Sequence, residues 1–222
     1  MDQRSEVGGR RSDGGSRTAD GEERGDAWRD LQGFPLTDLE ADKLRHLAIR
    51  RDVLEIGCWK ARSTILMAET ALSVLTVDSF AGDGYTGKAN TLPEALQNIR
   101  DWDRDGKIGT IVARFETILP ILDLKYFDFV FYDADHTGDA TAEALTILGV
   151  GCRRDVVVAV HDYEPTSPKY RDAAAAVDRW VVKTGRVLEV VDRLAIITPG
   201  RNCGGQCLCA PRRTPTKLAR VA

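Results

Sequence analysis

Three stretches of the chain share one pattern, an apolar run that turns polar at its C-terminal end: VLEIGCWKARST (53–64), FVFYDADH (129–136) and VVVAVHDY (156–163). A strand buried on both faces reads as a near-continuous apolar run, so each stretch predicts a parallel strand that delivers polar residues to the C-terminal edge of a sheet. Open α/β sheets bind their ligands at that edge. The three ends carry Glu55, Asp133, Asp135, His136, His161 and Asp162. SVLTVDSF (73–80) and KIGTIVAR (107–114) predict two more strands, and RVLEVVDRLAIIT reads as a pair of strands around Asp192 and Arg193. Helical patterns fall between them. One runs from about Leu39 to Arg50, another is ILMAETAL (65–72), and a third covers Ala142 to Leu148. Thr91 and Glu94 have capping-box spacing ahead of an apolar face of Leu96, Ile99 and Trp102. Ser167 before Pro168 opens a last helix with Ala173, Val177 and Trp180 on one side, ending at Gly185. Strand–helix alternation closed by a hairpin is an α/β pattern.

The first strand end can be read chemically. A dinucleotide fold places G-x-G-x-x-G here, because the second glycine lets the backbone touch a pyrophosphate. Trp59 stands at that position and argues against a dinucleotide. A ligand with a carboxylate and a ribose fits better. The helix that follows offers free N–H groups to the carboxylate. Asp78, about 20 residues past the loop, has the βαβ spacing of an acid that binds ribose hydroxyls.

The string EIGCWKARST resembles the E-x-G-x-x-x-G-x-S/T motif of class I S-adenosylmethionine-dependent methyltransferases, and VDSFAGD resembles their second-strand acid. DADH followed by HDY is similar to one branch, the small O-methyltransferases of sugars and natural products. The resemblance runs from roughly Asp52 to Thr198. It implies a Rossmann-like three-layer sandwich whose seven-stranded sheet is mostly parallel, with one antiparallel strand. It implies S-adenosylmethionine as cofactor, with Glu55, Gly57 and Ser63 at its methionine end, Cys58 and Ala61 in the same loop, Asp78 at the ribose beside Ser79, and Asp133 in reach. The chain departs at Ala61, where the motif has its last glycine.

The fourth and fifth strand ends are left for the chemistry. A sugar or alcohol hydroxyl is too weak an acid to ionise near neutral pH, so it needs a general base or a divalent metal. Asp133 and Asp135 straddle one residue and would face the same side of a continued strand. His161 and Asp162 come from what should be the neighbouring strand. The family resemblance implies a magnesium site, with Asp133, His161 and Asp162 as ligands and Asp135 as base. His161 stands where the related enzymes carry an acid. Imidazole is a poor magnesium ligand, so two versions stay open: a metal such as magnesium or manganese, or a metal-free reaction with His136 or His161 as base. The bland alternative is that these residues only cap helices and hold loops. AGDGYTGKAN (81–90) reads equally as an acceptor loop with Asp83 and Tyr85 or as a solvated connection. Tyr163-Glu164-Pro165 should border the acceptor pocket.

The 222 residues, 43% of them hydrophobic, suit one globular domain. Residues 1–27 are mostly Gly, Ser, Arg, Asp and Glu and read as a disordered tail; 28–200 form the methyltransferase domain, and 201–222 a basic tail with Cys203, Cys207 and Cys209. That cysteine spacing could offer three thiolates to zinc, but it matches no strong metal motif and lacks an obvious fourth ligand nearby, so it reads as free thiols rather than as zinc ligands. A net charge of −3 gives no case for nucleic acid. The lack of a long apolar run argues against a membrane. The chain is expected to be cytoplasmic, to act on a small hydroxyl-bearing acceptor, and to be open to homo-oligomer formation. A second class of function stays open beside the enzyme, a regulatory or assembly protein that binds S-adenosylmethionine without transferring its methyl group.

Overall fold

The computed structural model describes residues 29, 31, 36–82 and 87–200. Helix α1 (Asp38–Ala48) leads into strand β1 (Asp52–Ile56), helix α2 (Arg62–Ala68), β2 (Ser73–Asp78), α3 (Leu92–Trp102), β3 (Ile108–Val112) and the short α4 (Phe115–Ile118). After two 3₁₀ turns come β4 (Phe129–Tyr132), α5 (Gly138–Gly151), β5 (Val157–Val160), α6 (Arg171–Thr184), β6 (Val187–Val191) and β7 (Leu194–Thr198). The strands form a single seven-stranded sheet in the order β3-β2-β1-β4-β5-β7-β6. β7 runs antiparallel to both β5 and β6, and every other pairing is parallel. The fold is the Rossmann-like sandwich that the family resemblance implied, with its one reversed strand.

Period-two alternation along fully buried strands feeds two cores. On one face Leu54 and Ile56 of β1 and Val130 and Tyr132 of β4 meet Leu145, Leu148, Val177 and Trp180 from α5 and α6. On the other, Val53, Phe129 and Phe131 meet Leu44 and Leu47 of α1 and Leu66 and Met67 of α2. Both faces are covered, which is why these strands read as unbroken apolar runs. The chain order steps outward in opposite directions from β1 and β4. A crevice therefore opens between their C-terminal ends, the switch point at which open α/β sheets bind ligands.

Some local expectations change. The capping box is not at Thr91, whose side chain makes no cap hydrogen bond; Glu94 pairs with Lys60 at 2.9 Å instead. A complete capping box forms at Thr37 and Glu40 and starts α1. The inward face of α3 is Ala95 with Leu92 and Ile99, while Trp102 is 41% exposed. The last helix opens at Arg171, and Gly185 ends it in the left-handed conformation. Among the described residues no helix is long and apolar enough to cross a membrane. Both tails, with Cys203, Cys207 and Cys209, and the loop residues Asp83 and Tyr85 lie outside the described residues.

Candidate active site

A cavity of about 350 Å³ occupies the crevice. Gly57, Cys58 and Ser63 wall it from the first loop, Asp78 and Ser79 from the end of β2, and Asp133, Asp135, His136 and Asp162 from the ends of β4 and β5. Three further candidates, Glu55, Ala61 and His161, are not on its wall and sit directly behind it.

The first loop depends on close backbone approach. Gly57 has φ of +95°, and a Cβ there would lie 2.1 Å from the Asp133 carbonyl oxygen. Its hydrogen atom therefore faces the β4 backbone rather than the cavity. Only glycine lets the ends of β1 and β4 meet. Ala61, the departure from the family motif, also adopts a left-handed conformation, with φ of 68°, and is fully buried. Glu55 is fully buried beneath the loop and accepts hydrogen bonds from the Ser63 hydroxyl at 2.6 Å and from the Thr64 hydroxyl. Burial pushes its carboxyl up to about 7, against the pull of those hydroxyls. Glu55 thus ties the end of β1 to the first turn of α2, across the loop between them. Burial also raises the Cys58 thiol well above its ordinary value, so Cys58 is inert as a nucleophile.

Asp78 turns toward the loop. One carboxylate oxygen accepts from the backbone N–H groups of Cys58 (2.7 Å) and Trp59 (2.8 Å), and the other from Phe80 (2.6 Å). A carboxylate has about four acceptor positions, so capacity for a ligand hydroxyl remains.

At the other end of the cavity the structure brings together Asp133, His136 and Asp162, whose nearest ligating atoms all lie within 4.8 Å of one another. His136 Nε2 is 3.5 Å from Asp162 and 4.0 Å from Asp133. Its ring meets Tyr170 edge-on, with centroids 5.6 Å apart. Asp135 lines the cavity outside this trio and accepts a hydrogen bond from the Thr137 backbone at 2.8 Å. His161, expected as metal ligand or base, stands behind Asp133, and His136 takes its place in the trio. His161 Nδ1 is 3.2 Å from Asp133, and its Nε2 is 3.5 Å from Glu40. Burial opposes charge on His161, but Asp133, Glu40 and Asp162 outweigh it and raise the imidazole to about 10. An imidazolium has no lone pair to offer a metal or a proton. Burial likewise works against the Asp133 carboxylate, but His161, His136 and Arg193 hold it below the usual range.

The sequence reading missed Glu40, Arg193, Lys169 and Tyr170. Glu40 looked like an ordinary polar position of an amphipathic helix; its one signal was a Thr three residues earlier. Lys169 and Tyr170 line the cavity where Tyr163-Glu164-Pro165 were expected. Tyr163 instead donates to Asp178 at 2.8 Å.

Comparison with known proteins agrees with the fold. Residues 54–163 match the model of a methyltransferase domain. No curated protein matches the chain. Among solved structures, the O-methyltransferase TomG from Streptomyces achromogenes, bound to S-adenosylmethionine, is 20% identical with a TM-score of 0.55, covering 78% of this chain and 86% of its own. The O-methyltransferase NovP is 22% identical with a TM-score of 0.60, over 72% and 79% of the two chains. Cofactor-bound Rv0187 from MTB is 23% identical with a TM-score of 0.55, over 78% and 85%. The matched domain runs from within β1 to just past β5, and so includes the strand ends that build the cavity. Domain, fold and cavity together define the chain as a class I S-adenosylmethionine-dependent methyltransferase.

Proposed function

We propose that the enzyme methylates a hydroxyl group of a sugar or small natural product. The observation that carries this reading is the placement of Asp133, His136 and Asp162 in the same cavity as the Gly57 loop and Asp78. The loop and Asp78 suit the two polar ends of the cofactor, and the trio suits a hydroxyl that must lose its proton. TomG and NovP, both O-methyltransferases, share the fold.

When bound, S-adenosylmethionine supplies an electrophilic methyl group. Gly57, Cys58 and Ser63 would line its methionine part, and Asp78 with Ser79 its ribose. The acceptor hydroxyl donates to His136 Nε2 and gives up its proton there as the oxygen attacks. Asp162 and Asp133, on the same side of the imidazole, stabilise the positive charge that His136 gains. Tyr170, edge-on to that ring, fixes its plane. Two carboxylates and an imidazole also suit a divalent cation of the manganese, iron or zinc kind better than magnesium. Asp133, His136 and Asp162 would hold such an ion, which would acidify the acceptor hydroxyl. A cytoplasmic site of action and a small-molecule acceptor belong to the same reading; the net charge of −3 bears on the second, since it gives no case for a nucleic-acid acceptor.

The test is methyl transfer from labelled S-adenosylmethionine to a panel of glycosides and phenols, with and without chelator, in wild type and His136→Ala. The reading requires turnover on at least one hydroxyl acceptor and a fall of roughly 100-fold or more in the variant. Tight binding of S-adenosylhomocysteine with no turnover on any acceptor would favour a binding protein. Loss of activity with chelator and its return with manganese would assign the trio to a metal; insensitivity would assign His136 as base.

A further inference from the structure

Glu40 has more partners than a helix cap requires. In a capping box the glutamate only reaches back to the N-cap N–H and can stay in solvent. Glu40 does make that contact, accepting from Thr37 N at 2.9 Å, yet it is fully buried. Its other oxygen accepts from the Arg193 backbone N–H at 2.9 Å. The oxygen that caps the helix also faces His161 Nε2 at 3.5 Å.

Both partners lead to the cavity. His161 spans from Glu40 to Asp133, with its Nδ1 3.2 Å from that carboxylate. Arg193, in the turn between β6 and β7, donates from its guanidinium to Asp162 at 2.7 Å. Its carbonyl accepts from Tyr163 N at 2.9 Å, which pins the residue after Asp162 to the same turn. The Thr37 hydroxyl bonds Asp192 and closes the assembly on the α1 side. Asp162 has φ of 55°, a left-handed conformation. A non-glycine residue persists there only when its surroundings hold it.

We propose that Glu40 is a positioning residue for methyl transfer, holding Asp133 through His161 and Asp162 through Arg193. This rests on the reading of Asp133 and Asp162 as the working acids of the site. It accounts for the histidine that stands where related enzymes carry an acid. His161 does not face the acceptor; it transmits the hold of an N-terminal helix to the end of β4. Glu40 is fully buried and not on the cavity wall, and its effect runs through the two acids.

The test combines structure and kinetics in Glu40→Gln, Glu40→Ala and Arg193→Met. Each variant is crystallised with S-adenosylhomocysteine and assayed well below its own melting temperature. In Glu40→Ala both acids should move by about 1 Å or change rotamer. Its kcat should fall roughly 10- to 100-fold, while KM for S-adenosylmethionine stays within about threefold. Glu40→Gln keeps a single acceptor oxygen; turned to the Arg193 N–H it leaves an NH2 toward Thr37 N and His161 Nε2, so it should hold Asp162 and loosen only Asp133, with a smaller loss of kcat. Arg193→Met should release Asp162 alone. A merely structural role would lower melting temperature and leave the acids and kcat unchanged. Wild-type acid positions in a folded Glu40→Ala would overturn the proposal. Should that variant not fold, wild-type acid positions in both Glu40→Gln and Arg193→Met would do the same. If wild type turns over no acceptor, the methylation reading fails by itself, and the crystal structures still decide whether Glu40 places the acids.

Discussion

Gly57→Ala is the sharpest single test of how the cavity is built. The added Cβ would lie 2.1 Å from the Asp133 carbonyl oxygen, 2.5 Å from its carbon and 2.8 Å from Ala134 N. All three are backbone atoms, so no flexible side chain can give way. The residue also holds φ of +95°, and left-handed backbone costs an L-residue about 1–2 kcal/mol. Overpacking of this kind adds about 1–3 kcal/mol. The stiffer unfolded chain returns about 0.5–1 kcal/mol. The net expectation is a loss of about 1–4.5 kcal/mol, or roughly 2–18 °C in melting temperature for a domain of this size. Relieving the clash must move the start of the Asp133 loop, so affinity for S-adenosylhomocysteine should fall as well. Urea denaturation followed by circular dichroism gives the stability, and titration calorimetry gives the affinity. Gly106→Ala is the control. Its φ is +64° with nothing within 4 Å of the added carbon, so it isolates the backbone term of about 1 kcal/mol. If Gly57→Ala lost no more than Gly106→Ala and bound the ligand as wild type does, close approach of β1 and β4 would not be what this glycine provides.

Three further outcomes follow from the same wall of the site. Burial raises the Glu55 carboxyl from its ordinary 4.5 to about 7 in the folded protein, so its cost is absent below about pH 4.5, grows between the two values and is complete above 7. The stability of Glu55→Gln relative to wild type should therefore rise from pH 5 to pH 8 in denaturation at the two pH values, and a flat difference would show that Glu55 ionises freely. At Ala61, with φ of 68°, glycine relieves about 1–2 kcal/mol of backbone strain but gives up a buried methyl of about 0.8 kcal/mol and adds chain entropy of about 0.5–1 kcal/mol. Ala61→Gly should be neutral within about 1 kcal/mol in urea denaturation, whereas Ala61→Val should cost about 1–3 kcal/mol by overpacking. Asp78→Ala removes the acceptor of three backbone N–H groups and should weaken S-adenosylhomocysteine by at least roughly tenfold in calorimetry, about 1.4 kcal/mol; unchanged affinity would place the ribose elsewhere.

The fold was legible because its central strands are buried on both faces. β4 is apolar throughout up to Tyr132, and β1 is apolar between Asp52 and Glu55, so apolar runs giving way to polar residues marked both the strands and the sheet edge. Element boundaries that rest on caps were less legible. Thr91-x-x-Glu94 and Thr37-x-x-Glu40 have the same spacing. Only the second forms the box, because a competing cation, Lys60, sits within 2.9 Å of Glu94. The strand order came from the family resemblance, since period-two patterning does not say which strands are neighbours.

The site divides along the same physical line. Residues at the edge of the sheet were readable by position: Gly57, Cys58, Ser63, Asp78, Ser79, Asp133, Asp135, His136 and Asp162 all reach the cavity wall. What sequence position does not carry is which side of the wall a polar residue faces. His161 and Asp162 are adjacent, yet the left-handed backbone at Asp162 sends one side chain behind Asp133 and the other beside His136. That arrangement needs a partner for the buried imidazole and one for the Asp162 carboxylate, and these, Glu40 and Arg193, are remote in sequence. Buried ionic groups need partners more strictly than apolar ones do. A histidine in place of a strand-end acid therefore implies an unseen carboxylate, and here Glu40, far upstream in α1, supplies it.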